Sequence, residues 1–213
     1  MRLDRATPQR LPAIYRDWGH SIADAVAAAL PGEQELAAAK ACRGQAEPEL
    51  ERQRSVEAMN LADTGADPRI DRLADHARLL YGTRFSAVTL IDGDRQRHIA
   101  LLGSDIDQIP RHEAICNHVI QRDGITIYRD LWKEDAFNDN PLVHGDPAVR
   151  FYAGYPIRSP DGFRVGALCV YDPDPRPRQD IDKENLRDLA HLVEKQLWLT
   201  AKGATAAPTG WSD

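Results

Sequence analysis

The sequence predicts an α+β fold, in which an antiparallel sheet is flanked by helices. Runs of β-branched and aromatic residues are joined by turn sequences such as Gly93-Asp94, which is typical of hairpins and therefore of antiparallel strands. Segments with apolar residues at helical spacing precede and follow these runs. In residues 150–172, RFYAGYPIRSPDGFRVGALCVYD, both faces of two consecutive strands are apolar. Because successive side chains of a strand point to opposite faces, this hairpin is expected in the covered middle of the sheet.

The composition is that of a soluble globular protein, since 42% of the 213 residues are hydrophobic and 28% are charged. A net charge of −6 argues against broad nucleic-acid binding, which needs a basic surface. The N-terminus lacks the apolar core of a signal peptide, and no stretch is long and apolar enough to span a bilayer. Cys42, Cys116 and Cys169 are an odd number of distant cysteines, which favours reduced thiols and a cytoplasmic location.

Residues 1–68 are expected to form a helical extension. An apolar stripe at helical spacing predicts a first helix, which ends at Pro31-Gly32. The stripe consists of Ile14, Trp18, Ile22, Val26 and Leu30. Two further helices are expected over residues 33–43 and 48–61.

The elements after residue 68 follow from periodicity and turn signals. Gly82 is expected to stop a helix, SPDG to turn the second hairpin, and Asp180 to cap the last helix. Residues 200–213 are expected to be a disordered tail. The expected elements are, in order, a helix (70–81), two strands (84–92 and 95–103), a short helix (114–121), a strand (124–130), a long polar stretch (131–149), two strands (150–158 and 164–172) and a helix (181–199).

Five segments in this order resemble a GAF domain, the small-molecule-sensing relative of the PAS fold. They are AVTLIDGDRQ, ICNHVI, DAFNDNPLV, RFYAGYPIRSPDG and VGALCVYD. The resemblance implies a sheet of about six antiparallel strands, backed by the first and last helices of the domain, with a pocket on the other face under the short helix and the long loop. The expected boundaries are an extension over 1–68, a GAF-like domain over 69–199 and a tail over 200–213.

The resemblance places the candidate ligand-binding residues in the long loop and the strands beside it. Asn138 and Asn140 have an alternative role, because Asn residues in such loops often bond their own backbone. Arg150 either anchors an anionic ligand or pairs with Asp139 or Asp146. The candidates are Cys116, Asp130, Trp132, Phe137, Asn138, Arg150, Phe151 and Tyr155.

The spacing of Cys116 and its neighbours does not favour a metal site. On a helix, Cys116 and His118 would point about 200° apart. His112 and Cys116 could share a face, but two ligands leave a zinc site unfilled. We therefore expect a core cysteine, no metal and no catalytic residue, and the cofactor is unknown from the sequence.

These observations favour a cytoplasmic sensor without catalytic activity. It is expected to bind an unidentified small molecule and to act on a signalling partner in trans or through homodimerisation. One alternative is a ligand-free dimerisation module whose aromatic side chains fill the cavity. Another is a GAF-type free methionine sulfoxide reductase, although the glycine-rich cysteine loops of those enzymes do not occur in this sequence.

A truncation tests the expected homodimer, because the N-terminal apolar stripe is too small to form a core of its own and must be buried elsewhere. Removing residues 1–44 should leave the domain folded and shift it from dimer to monomer in light scattering. A truncated protein that stays dimeric would place the contact elsewhere, and aggregation would show that the stripe covers the domain's own apolar surface.

Overall fold

The structure is a computed structural model that describes residues 48–61, 67–106, 108–176 and 181–203. The helices predicted over 14–30 and 33–43 lie outside the described residues, as does most of the tail. The chain divides into the compact units Met1–Glu51 and Arg52–Asp213. Of the first unit, residues 48–51 are described, and they form the start of helix α1, which spans 48–59.

Six antiparallel strands form one sheet in the order β3-β2-β1-β6-β5-β4, which confirms the predicted architecture. β3 was not predicted as a separate strand, because a three-residue segment that ends in proline has no recognisable alternation. The strands are β1 (Phe85–Asp92), β2 (Arg95–Leu102), β3 (Gln108–Pro110), β4 (Thr126–Tyr128), β5 (Phe151–Arg158) and β6 (Arg164–Asp172).

Two long helices cover one face of the sheet, and their ends have the predicted kind of cap. α2 (Pro68–Tyr81) begins at Asp67, whose carboxylate accepts from the backbone N–H of Arg69 at 2.9 Å, and ends at Gly82 with φ 55°. The C-terminal helix continues to Gly203 instead of ending near Leu199. Its first N–H groups donate to Asp182, whereas Asp180, the predicted cap, lies outside the described residues.

The other face of the sheet is covered by short elements. They are α3 (Ile115–Val119), two 3-10 turns (Leu131–Lys133 and Asp135–Phe137) and α4 (Pro141–His144); the C-terminal helix, α5, is Lys183–Gly203. Buried residues form two clusters, one on each side of the sheet. The hairpin β5–β6 contributes Phe151 and Leu168 to the helix side and Tyr152 and Cys169 to the other side. Both faces of the central hairpin are therefore buried, as its sequence predicts.

Two glycines of the hairpin are required by close approaches. Gly166 lies opposite Leu90 of β1, and a Cβ atom at this position would clash with the carbonyl oxygen of Thr89. A Cβ atom at Gly154 would lie 2.6 Å from the hydroxyl oxygen of Tyr152. Gly166 thus makes room for the neighbouring strand, and Gly154 makes room for an aromatic side chain on the face opposite the long helices.

Replacing Gly166 with alanine should lower the free energy of unfolding by about 1–3 kcal/mol, because the added methyl group overpacks the β1–β6 contact. Urea unfolding of both proteins measures the difference. Gly93→Asn is a matched control, since Gly93 has a φ of 57° and open space around the missing side chain, and asparagine tolerates this conformation. Equal stability of wild type and Gly166→Ala would contradict the overpacking argument.

Candidate functional site

A cavity of about 30 Å³ lies between the sheet and the short elements that cover it. Its floor comes from β1, β5 and β6, its wall from β2 and β3, and its roof from α3 and the segment around α4. Partly exposed residues, among them His98, Leu142 and Pro147, are part of its lining. The full lining is Ala87, Gln96, His98, Ile106, Ile109, Ile115, Cys116, Leu142, Pro147, Val149, Tyr152, Cys169 and Tyr171.

One buried polar atom in this lining is unsatisfied. The side chain of Gln96 is 4% exposed, and its Oε1 atom has no hydrogen-bond partner among the described residues. Its Nε2 atom lies 3.2 Å from Nε2 of His98 and donates to it when the His98 proton is on Nδ1. A buried amide oxygen without a donor is unfavourable. The wall of the cavity therefore presents an acceptor that a ligand with an N–H or O–H group would satisfy.

A buried polar cluster lies where the roof of the cavity meets its floor. Sγ of Cys116 lies 3.1 Å from the hydroxyl of Tyr152 and 3.8 Å from Sγ of Cys169. Hydrogen bonding from Cys169 lowers the pKa of Cys116 against the effect of burial. The contact with Cys116 and burial together raise the pKa of Cys169. Burial also raises the pKa of Tyr152 well above its usual value, so this hydroxyl remains a hydrogen-bond donor at neutral pH.

Three of the predicted ligand-binding residues form a separate cluster that anchors the long loop. Asp130 accepts two hydrogen bonds from the guanidinium of Arg150, at 3.0 and 2.8 Å. The same guanidinium lies 4.2 Å from the ring centroid of Trp132. Trp132 donates from Nε1 to the carbonyl of Val143 at 3.1 Å. Arg150 is therefore paired with Asp130 and not with Asp139 or Asp146. None of Asp130, Trp132 and Arg150 lines the cavity.

Asn140 has the backbone role that the sequence left open for Asn138 and Asn140. Asn140 accepts from the N–H of Leu142 at 2.9 Å and caps α4, and its Nδ2 donates to the carbonyl of Glu113 at 2.7 Å. Asn138 is exposed and follows the second 3-10 turn. Phe137 is buried against Tyr128 and His118. These contacts hold the roof of the cavity in place, and none of Phe137, Asn138 and Asn140 lines it.

Phe151 and Tyr155 lie on the opposite side of the sheet from the cavity. Phe151 belongs to the helix-side core, and Tyr155 packs against it with its ring 5.8 Å from that of His191 on α5. Of the eight candidates, the structure thus brings only Cys116 to the cavity. Which face of the sheet carries the pocket depends on where the long helices pack, and strand alternation alone does not determine this.

Sequence reasoning missed most of the lining, in particular Gln96, His98, Tyr152 and Cys169. A signal for two of them is present in β2, where Gln96 and His98 alternate with other residues and so share a face. Gln96 pairs with Ile91 across the strands, so a glutamine occupies the buried face beside an apolar neighbour. A buried polar residue among apolar partners is the feature that marks the site.

A metal-binding group and a membrane-spanning helix are both absent from the part of the chain that the structure describes. In that part, no group of three or more His, Cys, Asp or Glu residues is arranged to hold a metal ion. No helix there is long and apolar enough to cross a membrane.

A family model for the GAF domain matches residues 66–197. The chain belongs to the GAF domain family. Among solved structures, the GAF domain from an Acinetobacter phosphoenolpyruvate-protein phosphotransferase has a TM-score of 0.52 and 15% identity, covering 75% of this chain and 98% of the other. The resemblance seen in the sequence is confirmed.

Two further comparisons are with proteins named as enzymes. A cyclic di-GMP phosphodiesterase of Pseudomonas aeruginosa is 34% identical over 166 residues, which are 77% of this chain but only 28% of that protein. A free methionine-R-sulfoxide reductase from Neisseria meningitidis, solved with its substrate, shares the fold with a TM-score of 0.52, 18% identity and coverage of 74% and 93%. The prediction of a module without catalytic activity is contradicted by these enzymes and is wrong.

Replacing Asp130 with asparagine tests the loop anchor. Hydrogen bonds from Arg150 lower the pKa of Asp130, so the carboxylate stabilises the fold above the pKa of the unfolded chain, about 3.9. Asp130→Asn should cost about 1.5 kcal/mol at pH 7, and the loss should shrink as the pH falls below about 4 and the wild-type carboxylate becomes protonated.

Thermal unfolding between pH 7 and pH 3 measures this difference for the wild type and the variant. Asp139→Asn, at an exposed position of the same loop, serves as the control and should change stability little at either pH. A loss for Asp130→Asn that is the same at every pH would contradict a charge-based role for Asp130.

Proposed function

We propose that this GAF domain senses a small molecule in the cavity beside Gln96 and regulates a cyclic di-GMP phosphodiesterase. The observation that carries the proposal is the unsatisfied Oε1 atom of Gln96 in the lining of a cavity. A buried acceptor without a partner is costly in a structural role. It is useful in a binding role, because the site then discriminates strongly in favour of a ligand that supplies the missing donor.

The cavity also limits the class of ligand. A volume of about 30 Å³ holds two or three non-hydrogen atoms. Most of the lining is apolar, with Gln96, His98 and the hydroxyls of Tyr152 and Tyr171 as its polar members. The proposed ligand is therefore a very small neutral molecule with one hydrogen-bond donor. Neutral chemistry is favoured because, among the described residues, no Asp, Glu, Lys or Arg lines the cavity, and a buried unpaired charge is strongly unfavourable.

The proposed output follows from the curated relative. That protein is a cyclic di-GMP phosphodiesterase. The segment of our chain that matches it is 166 residues long and overlaps the GAF domain at residues 66–197. Since the chain spans about a quarter of the relative's length, we infer that the phosphodiesterase activity is regulated either within one larger protein or in trans. A cytoplasmic homodimer, as expected from the sequence, would carry the signal.

Binding is tested by an NMR titration of the full chain with formamide, a neutral probe with three non-hydrogen atoms and an N–H donor. Signals of the Gln96 side-chain amide should shift with probe concentration. Gln96→Leu should abolish the shifts of neighbouring signals, and Gln121→Leu should not, because Gln121 is exposed and outside the cavity. Unchanged titrations in Gln96→Leu would contradict the proposed site.

The output is tested by replacing the matching segment of the Pseudomonas aeruginosa phosphodiesterase with this chain and measuring cyclic di-GMP hydrolysis. The chimera should hydrolyse cyclic di-GMP, and formamide should change its rate in the Gln121→Leu version but not in the Gln96→Leu version. A probe that binds without changing the rate in any version would overturn the regulatory role while leaving the binding site intact.

A further inference from the structure

Cys116 in the roof of the cavity and Cys169 in its floor are close enough to react with each other. Their Sγ atoms are 3.8 Å apart, and a disulfide needs about 2.0 Å, so the sulfurs must approach by less than 2 Å. Cys169 lies in the middle of the central strand β6, whereas Cys116 lies on α3, a helix of only five residues. The short helix packs on the sheet face without belonging to the hydrogen-bonded ladder, so it can take up this movement more readily than the central strand.

The surroundings make the two thiols chemically unequal. Cys116 is beside the Tyr152 hydroxyl at 3.1 Å, and a thiolate at Cys116 would accept hydrogen bonds from both this hydroxyl and the thiol of Cys169. The pKa of Cys116 is lowered and that of Cys169 is raised. The thiolate is the reactive form of cysteine. The Tyr152 hydroxyl at 3.1 Å from Cys116 and the position of Cys116 on the short helix α3 suit Cys116 to attack an oxidant, and Cys169 to attack the oxidised Cys116.

The cavity supplies space for a very small oxidant beside both sulfurs. Cys116 and Cys169 are 3% and 2% exposed, yet both line the cavity, whose partly exposed residues include His98 and Leu142. Hydrogen peroxide has two non-hydrogen atoms and fits a volume of about 30 Å³.

We propose that Cys116 and Cys169 form a peroxide-reactive dithiol site, independent of the ligand and the output proposed above. The Cys116 thiol loses its proton as its sulfur attacks one oxygen of hydrogen peroxide, the O–O bond breaks, and the leaving hydroxide takes up that proton to become water. The Cys169 sulfur then attacks the sulfenic acid of Cys116. The S–S bond forms, the S–O bond breaks, and hydroxide leaves with the Cys169 proton as a second water. Two thiols are oxidised, and one peroxide is reduced to two water molecules.

The disulfide would fasten the roof of the cavity to its floor. It would join α3 to β6 across 53 residues of sequence. Cross-linking a loop of this length restricts the unfolded chain and stabilises the folded state. Oxidation should therefore raise the midpoint of thermal unfolding and should narrow the space between the two sulfurs.

The site is tested by treating the reduced full chain with one equivalent of hydrogen peroxide, blocking free thiols and digesting with trypsin without reductant. Mass spectrometry should find peptide 112–122 joined to peptide 165–178 with the loss of two hydrogen atoms, while Cys42 in peptide 41–43 is still alkylated. Cys116 should be lost at least about tenfold faster than Cys42, because its thiolate is stabilised.

Variants separate the two steps. Cys169→Ser should leave a sulfenic acid on Cys116 that dimedone captures, Cys116→Ser should give no adduct on Cys169, and Cys42→Ser should form the disulfide as the wild type does. Circular dichroism checks folding, with Cys169→Ala as the replacement if the serine variant is unfolded. The proposal is overturned if Cys42 reacts first or is the only partner, or if free methionine sulfoxide oxidises the pair as fast as peroxide does.

Discussion

The apolar character of both faces of the central strands governs this structure. β1, β6 and β5 carry buried residues on both sides, and neither face can be left in water at acceptable cost. One face is covered by α2 and α5, whose apolar stripes are long enough to pack along the strands. The other is covered by elements of three to five residues, which have no core of their own. The cavity lies where this broken layer meets the sheet.

The covering layer depends on polar contacts more than on its own apolar area. Asn140 ties the start of α4 to the segment before α3, and the Asp130–Arg150 pair holds the first 3-10 turn against the beginning of β5. Such contacts fix geometry because each satisfies backbone or charged groups that would otherwise be buried without partners. The polar and aromatic residues of this loop therefore have the composition of a ligand-binding site in the sequence. In the structure they hold the covering layer in place beside the cavity.

The parts of the fold that could be predicted are those set by local rules. The Gly93 hairpin, the Gly82 helix stop and the two-sided hairpin 150–172 follow from backbone conformation and alternation. The cavity could not be predicted in the same way. The closeness of Cys116 and Cys169 depends on a contact between elements 53 residues apart, and Arg150 finds Asp130 across 20 residues. Alternation separates Phe151 from Tyr152, but only packing decides which of them faces the pocket.

The size of the cavity sets a limit on how tightly the domain can hold a reversible ligand. The best small ligands gain about 1.5 kcal/mol of binding free energy per non-hydrogen atom. Two or three such atoms in about 30 Å³ give at most about 4.5 kcal/mol, which corresponds to a dissociation constant near a millimolar. A cavity of this size is matched to a compound that is abundant in its surroundings. A compound that is present at a much lower concentration would be retained only if it formed a covalent bond with the protein. The strength of such a bond does not depend on how many ligand atoms the cavity encloses.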